Sequence, residues 1–260
     1  MTEPRIHYET FGAGRPIVLV HGWGTDLRHN WVETGWVDAL RPIRRVVALD
    51  CRGHGRSEKP REQAAYGYRA MSRDVLRVMD ALGIASADFV GYSMGAFMGA
   101  CLLGDDPKRF TSMVLGGIGD ETPKSSAVCV AIAAGLRASD PDAITDPLGR
   151  AARAYAESNP DNDLEVLALS ALQMWPEGYP RTLAGPGLAA INVSVLVVNG
   201  EDDQPYVRSD ERLVAAIPGA RLVRIAGANH ASAVADPRFR NAVLEFLSGL
   251  DARRVQSSEP

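Results

Sequence analysis

The sequence predicts an α/β protein built on a mostly parallel sheet flanked by helices. Its strand-like runs are almost continuously apolar rather than alternating, which suits strands covered on both faces. Helical patterns fall between those runs, so strands and helices alternate and right-handed crossovers should join them. A chain of 260 residues is an ordinary length for one such domain.

In chain order, "RIHYETF" (5–11) alternates like a strand, "GAGRP" (12–16) reads as a turn, and "IVLV" (17–20) is a short apolar strand. "RRVVALD" (44–50) and "ADFV" (87–90) follow, then "SMVLGG" (112–117), "VSVLVV" (193–198) and "ARLVRI" (220–225). Between 68 and 83, Met71, Val75, Val78, Met79 and Leu82 recur at helical spacing and Gly83 supplies a stop. Val234, Phe239, Val243, Phe246, Leu247 and Leu250 predict a closing helix that starts near Asp236 and Pro237. The polar tail "DARRVQSSEP" (251–260) is expected to fray.

One segment breaks the alternation. Residues 120–190 contain no clear strand and are far too long for an ordinary loop. They hold helical stretches ("AVCVAIAAGLRA", "DPLGRAARAYAES", "DLEVLALSALQMW") and read as an inserted helical cap. The core domain is then 1–119 together with 191–260.

Composition excludes several function classes. The formal net charge is −4, and the basic residues are scattered arginines, with lysine only at Lys59, Lys108 and Lys124. Neither nucleic acid nor an anionic membrane is an expected partner. Three cysteines at unpaired spacings argue against a disulfide framework and a zinc site. "GAGRP" precedes a strand rather than a helix, so no dinucleotide fingerprint is present. No metal and no cofactor are expected. The first ten residues lack a signal pattern, no apolar run is long enough to span a bilayer, and the expected home is a reducing cytoplasm.

The chemistry lies in "GYSMG" (91–95), which joins a strand-like run to a helix-like one. In G-x-S-x-G the chain turns sharply, small residues flank the turn, and the serine hydroxyl stands exposed near a helix N-terminus that favours negative charge. Ser93 is therefore a candidate nucleophile, and it needs a base. Of the five histidines, His230 is the best placed, in a loop between the last strand and the closing helix. His21 reads as a brace of its own loop, and Asp50, Arg52 and His54 as holders of a glycine-rich turn. A carboxylate should orient the imidazole, and both Asp202 and Asp203 qualify at the tip of the next-to-last strand. Backbone N–H groups of Met94 and of Trp23, in "HGWG" (21–24), are the expected oxyanion donors. Trp23, Tyr92, Met174, Trp175 and Tyr179 are candidate pocket walls.

"HGWG", "DCRGHGRS" (50–57), "GYSMG", "NGEDD" (199–203) and "GANH" (227–230) together resemble the α/β-hydrolase fold along nearly the whole chain. The resemblance is nearest to bacterial aryl-esterase, cofactor-free haloperoxidase-like and lactonase members, and extends to C–C bond hydrolases. It implies that acid and base each sit three residues after a glycine, which selects Asp203 after Gly200 and His230 after Gly227. Asp120 lies where some members carry the acid instead. The expected activity is hydrolysis of a small to medium apolar ester or lactone through an acyl-enzyme on Ser93. One alternative is C–C bond hydrolysis with Arg137, Arg150, Arg153 or Arg181 clamping a carboxylate. Another, of a different class, is a ligand-binding signalling receptor that retains the same residues.

Overall fold

The computed structural model describes residues 3–120, 126–174, 188, 191–204 and 206–257. Seven strands form one sheet: β1 (Tyr8–Phe11), β2 (Pro16–Val20), β3 (Arg45–Leu49), β4 (Ala87–Tyr92), β5 (Phe110–Gly116), β6 (Ser194–Gly200) and β7 (Arg221–Ile225). Their spatial order is β1-β3-β2-β4-β5-β6-β7. Only β1 runs antiparallel, against β3, and every other neighbouring pair is parallel. Residues 5–7 of the expected first strand lie outside it.

The continuous apolar runs are explained by burial on both faces. Ile17, Val18, Leu19 and Val20 of β2 alternate between two separate hydrophobic clusters, one on each side of the sheet. Each such side chain contributes about 1.5–3 kcal/mol by leaving water. One face is covered by α2 (Tyr68–Ala81) and α3 (Met94–Asp105), the other by α1 (Trp36–Leu40) and α8 (Pro237–Ser257). On that second face Trp36 makes edge-to-face contacts with Trp31 and Phe239, at centroid separations of 5.4 and 5.2 Å. A short α7 (Asp210–Ala215) precedes β7.

The expected fraying of the tail does not occur over 251–257, which continue α8. Asp251 is the physical reason. Its carboxylate accepts from Arg44 Nη2 at 2.8 Å and from Arg15. Arg44 and Arg15 also bind the buried Asp88 at the start of β4, so the tail is tied into an ionic cluster below the sheet.

Between β5 and β6 the described residues form α4 (Ser126–Arg137), α5 (Pro147–Glu157) and α6 (Leu164–Met174). Asp146 caps α5 by accepting from the N–H groups of Leu148 and Gly149, and Asp163 accepts from Val166 at the start of α6. These helices have a small hydrophobic cluster of their own, made by Ala133, Leu136, Ala156, Leu167 and Ala168. Trp23 packs against both this cluster and the main core, so these helices lie over the loop that follows β2. Among the described residues no helix is long and apolar enough to cross a membrane.

Candidate active site

Ser93 sits between the end of β4 and the first residue of α3, at φ 50° and ψ −114°. A non-glycine residue rarely adopts positive φ, and holding it there costs on the order of 1–3 kcal/mol. The surroundings enforce the turn. The N–H of Ser93 donates to Gly116 O at the end of β5 (2.8 Å), and the carbonyl of Ser93 accepts from Phe97 one helical turn on. A Cβ at residue 95 would stand 2.1 Å from Val20 O, and one at residue 91 would stand 2.4 Å from Gly95 O. Glycine is therefore obligatory on both sides, because strand and helix backbones pass closer than a side chain permits.

The Ser93 hydroxyl lies 2.9 Å from His230 Nε2, and His230 Nδ1 lies 2.7 Å from Asp203 Oδ1. The three residues come from three strand ends, after β4, β7 and β6. At residue 200 a Cβ would come within 2.2 Å of Ala228 O, so Gly200 lets the β6 tip and the 227–230 loop touch. The N–H of Asp202 donates to that same Ala228 carbonyl. Asp203 is buried whereas Asp202 is exposed, so the strand tip turns only one of the adjacent carboxylates inward. Asp203 Oδ2 is buried and has no hydrogen-bond partner among the described residues. Asp120, the other sequence candidate, is buried and paired with Arg212 at 3.1 Å.

The loop after β2 comes next to the serine: a Cβ at residue 22 would lie 3.6 Å from Ser93 Cβ. His21 sets its backbone. The N–H of Cys51 donates to His21 Nε2 (2.9 Å), so the ring proton resides on Nδ1, which donates to Gly22 O (2.6 Å). Burial lowers the pKa of His21 against the opposing pull of Asp50, which keeps this neutral tautomer. Gly22 C=O and Trp23 N–H share one planar trans peptide and point in opposite directions. Holding the carbonyl against His21 therefore turns the Trp23 N–H the other way. Met94 is the first residue of α3, where N–H groups have no intrahelical partner.

The remaining expected positions divide. Tyr92 is buried against Phe239 and donates its hydroxyl to His230 O at 2.6 Å, so it is bound to the His230 loop. Met174 is buried within the main hydrophobic cluster. Trp175, Tyr179 and Arg181 lie outside the described residues. Arg137 pairs with Glu165 on the surface, Arg150 donates to Ile144 O, and Arg153 donates to Leu136 O, Ala138 O and Glu157. Each of these three guanidinium groups is engaged by residues of the 126–174 segment.

Sequence reasoning missed two aromatic residues. Tyr206 stacks on His230, with ring centroids 4.6 Å apart and planes 25° from parallel. Its position three residues after Asp203 was a usable signal. Tyr155, on α5, covers the loop: a Cβ at residue 24 would come within 2.9 Å of its Cε1. Nothing local marks Tyr155, since the contact spans about 130 residues of chain. Both rings keep substantial exposure, 56% for Tyr206 and 45% for Tyr155. Among the described residues no cluster of three or more His, Cys, Asp or Glu side chains is arranged to hold a metal ion.

The arrangement can move a proton from Ser93 Oγ to His230 Nε2 while Asp203 faces the other ring nitrogen. Comparisons with known proteins bear on the family of the chain. Residues 15–162 match the profile described as alpha/beta hydrolase fold. The chain is 32% identical over 254 residues to the dihydrolipoyllysine-residue acetyltransferase component of the acetoin cleaving system of Cupriavidus necator, covering 93% of this chain. It spans 66% of that protein's length. It is 27% identical over 280 residues to the 2-hydroxymuconate semialdehyde hydrolase of Pseudomonas sp. strain CF600, covering 96% of this chain and 93% of that one. The solved enol-lactonase of Burkholderia xenovorans LB400 superposes with a TM-score of 0.77 at 28% identity, over 94% of this chain and 97% of that one. The chain belongs to the α/β-hydrolase fold family.

Proposed function

We propose that the protein is a serine hydrolase that cleaves a small to medium apolar carboxylic ester or lactone. The observation that carries this reading is the hydrogen-bonded line from Asp203 through His230 to Ser93, set on a strained turn beside a helix N-terminus. Ser93 Oγ attacks the substrate carbonyl carbon and its proton passes to His230 Nε2. The negative charge that develops on the carbonyl oxygen is received by the N–H groups of Trp23 and Met94. Collapse breaks the ester bond, and His230 returns the proton to the leaving oxygen. Water then attacks the acyl-enzyme by the same relay, which frees the acid and restores Ser93. Asp203 holds the imidazole in the orientation this relay needs. The chemistry uses side chains and backbone of this chain alone, and the proposed partner is a small-molecule substrate.

The exposed Tyr206 stacked on His230, and the exposed Tyr155 over the loop that carries Trp23, favour apolar substituents on the substrate. A second reading, C–C bond hydrolysis, draws on the 2-hydroxymuconate semialdehyde hydrolase relative. The internal engagement of Arg137, Arg150 and Arg153 weighs against a carboxylate clamp and hence for the ester reading. The helical insertion serves as the cap of the site, and the odd cysteine count fits a cytoplasmic home.

The test is intact-mass spectrometry after incubation with a fluorophosphonate, with peptide mapping, alongside p-nitrophenyl esters of increasing chain length and a lactone series. A single adduct on Ser93 with turnover of short esters or lactones is expected. An adduct without turnover of either would redirect the assignment to C–C substrates or to a ligand-binding receptor. Absence of any adduct would remove the hydrolase reading.

A further inference from the structure

The loop over residues 22–26 is held from two sides. From the core, Asn30 Oδ1 accepts from Gly22 N (3.1 Å) and His21 Nδ1 donates to Gly22 O. From the insertion come three more hydrogen bonds. Trp23 Nε1 donates to Ser170 Oγ (2.9 Å), Asn162 Nδ2 donates to Gly24 O (2.8 Å), and Asn159 Nδ2 donates to Asp26 Oδ2 (2.8 Å). Ser170 is fully buried, and its own hydroxyl proton goes to Leu167 O at 2.9 Å, so its oxygen is turned to receive the indole. Asn159 is 5% exposed and meets a carboxylate that also accepts from the His29 ring and from the N–H groups of Arg28 and His29. Burial raises the pKa of Asp26, but the hydrogen bonds from His29 and Asn159 outweigh it and hold the carboxyl below its ordinary value.

These three contacts are more than general adhesion between insertion and core. Each ends on the loop segment that carries Trp23, and each fixes a different atom: the side chain of Trp23, the backbone one residue later, and the carboxylate two residues beyond that. Arg61–Asp163 shows the contrast. It also joins core to insertion, at 2.5 Å, but it lies on the surface and touches no part of the loop.

We propose that Asn162 and Ser170, supported by Asn159, are positioning residues through which the helical insertion sets the placement of the Trp23 N–H as an oxyanion donor. The proposal rests on the serine hydrolase reading. An oxyanion donor helps only where charge develops in the transition state, so a displaced donor lowers kcat with little effect on substrate binding. The insertion then governs the rate of the chemical step as well as access to the site.

The experiment compares wild type with Asn162→Ala, Ser170→Ala, Ser170→Thr and Arg61→Ala. Initial rates with p-nitrophenyl butyrate are normalised to active sites counted by complete fluorophosphonate labelling, inhibition by phenylboronic acid is measured, and thermal melting checks the fold. Phenylboronic acid forms a tetrahedral adduct on the serine and so reports on the oxyanion donors. Asn162→Ala and Ser170→Ala should each lower kcat by about tenfold with KM within about twofold, and raise the boronate Ki by a similar factor. Ser170→Thr, which keeps the acceptor, should recover most of the loss, and Arg61→Ala should behave as wild type. Unchanged kcat in both alanine variants overturns the proposal, as does an equal loss in Arg61→Ala. If one alanine variant fails to fold, the other decides. Absence of a Ser93 adduct in wild type removes the hydrolase reading and the proposal with it, whereas an adduct with unchanged variant kinetics removes the proposal alone.

Discussion

Tyr92, the residue immediately before Ser93, donates its hydroxyl to the backbone carbonyl of His230 across 2.6 Å. The segment that presents the serine is thus bound directly to the loop that presents the histidine, and the 2.9 Å contact between Ser93 and His230 is held from below. Burial raises the Tyr92 pKa well above its ordinary value, so the phenol remains a donor throughout the working range. Tyr92→Phe should cost about 1 kcal/mol of stability, because it leaves a half-buried carbonyl without this donor. It should also lower kcat several-fold with little change in KM. Urea denaturation and ester kinetics on the same preparation check both; an unaltered kcat would show that the His230 loop holds itself.

The carboxylates near the site are predicted to rank in order of their contact with His230. Asp203→Asn should lower kcat by about ten-thousand-fold, since the amide can hold the wrong tautomer of the imidazole. Asp202→Asn should be nearly neutral, because that side chain is exposed. Asp120→Asn should act on stability through its ion pair with Arg212 and leave kcat close to wild type. A large kcat loss in Asp120→Asn would reassign the acid.

Ser93 should show opposed effects on activity and stability. Ser93→Ala should reduce turnover by several orders of magnitude while retaining the backbone strain at φ 50°. Ser93→Gly should be just as inactive but more stable than Ser93→Ala by about 1 kcal/mol, since glycine relieves the positive φ. Equal melting curves for the two variants would mean that the turn is not strained.

Acid should destabilise the fold through its buried histidines. His54 is fully buried, and burial first, then the neighbouring His21, push its pKa from 6.5 down to about 3. The unfolded chain takes up that proton near its ordinary pKa and the folded chain does not, so the unfolded state binds more protons between the two values. His54 stabilisation is therefore complete above the unfolded pKa and is lost as pH falls towards the folded one, at up to about 1.4 kcal/mol per pH unit. His21, also lowered by burial, adds to the loss in the same direction. Urea denaturation from pH 7.5 to 5 should show a shallower pH dependence for His54→Gln than for wild type. Parallel slopes would contradict the assignment.

Much of this molecule is determined by local sequence. Apolar runs such as "IVLV" imply strands buried on both faces, and the sheet has them alternating between two cores. Gly91, Ser93 and Gly95 mark their turn in the local sequence, although the 2.1 Å approach that requires Gly95 is made by Val20 of β2. The order of Ser93, Asp203 and His230 along the chain matches three strand ends that a parallel sheet brings to one edge. Other features depend on contacts between residues far apart in sequence. The side that Tyr92 faces is decided by Phe239 and the His230 loop, 138 residues on for its hydrogen bond, and no local pattern records that. The tail beyond 250 is polar and looks frayed until Arg15 and Arg44 are placed beside Asp251. Asn159, Asn162 and Ser170 resemble ordinary helix-end and helix-face residues, and only the packing of α5 and α6 over the 22–26 loop gives them partners there. Local steric limits and burial patterns are written residue by residue, whereas the partner of a polar side chain is chosen by which distant backbone the fold delivers to it.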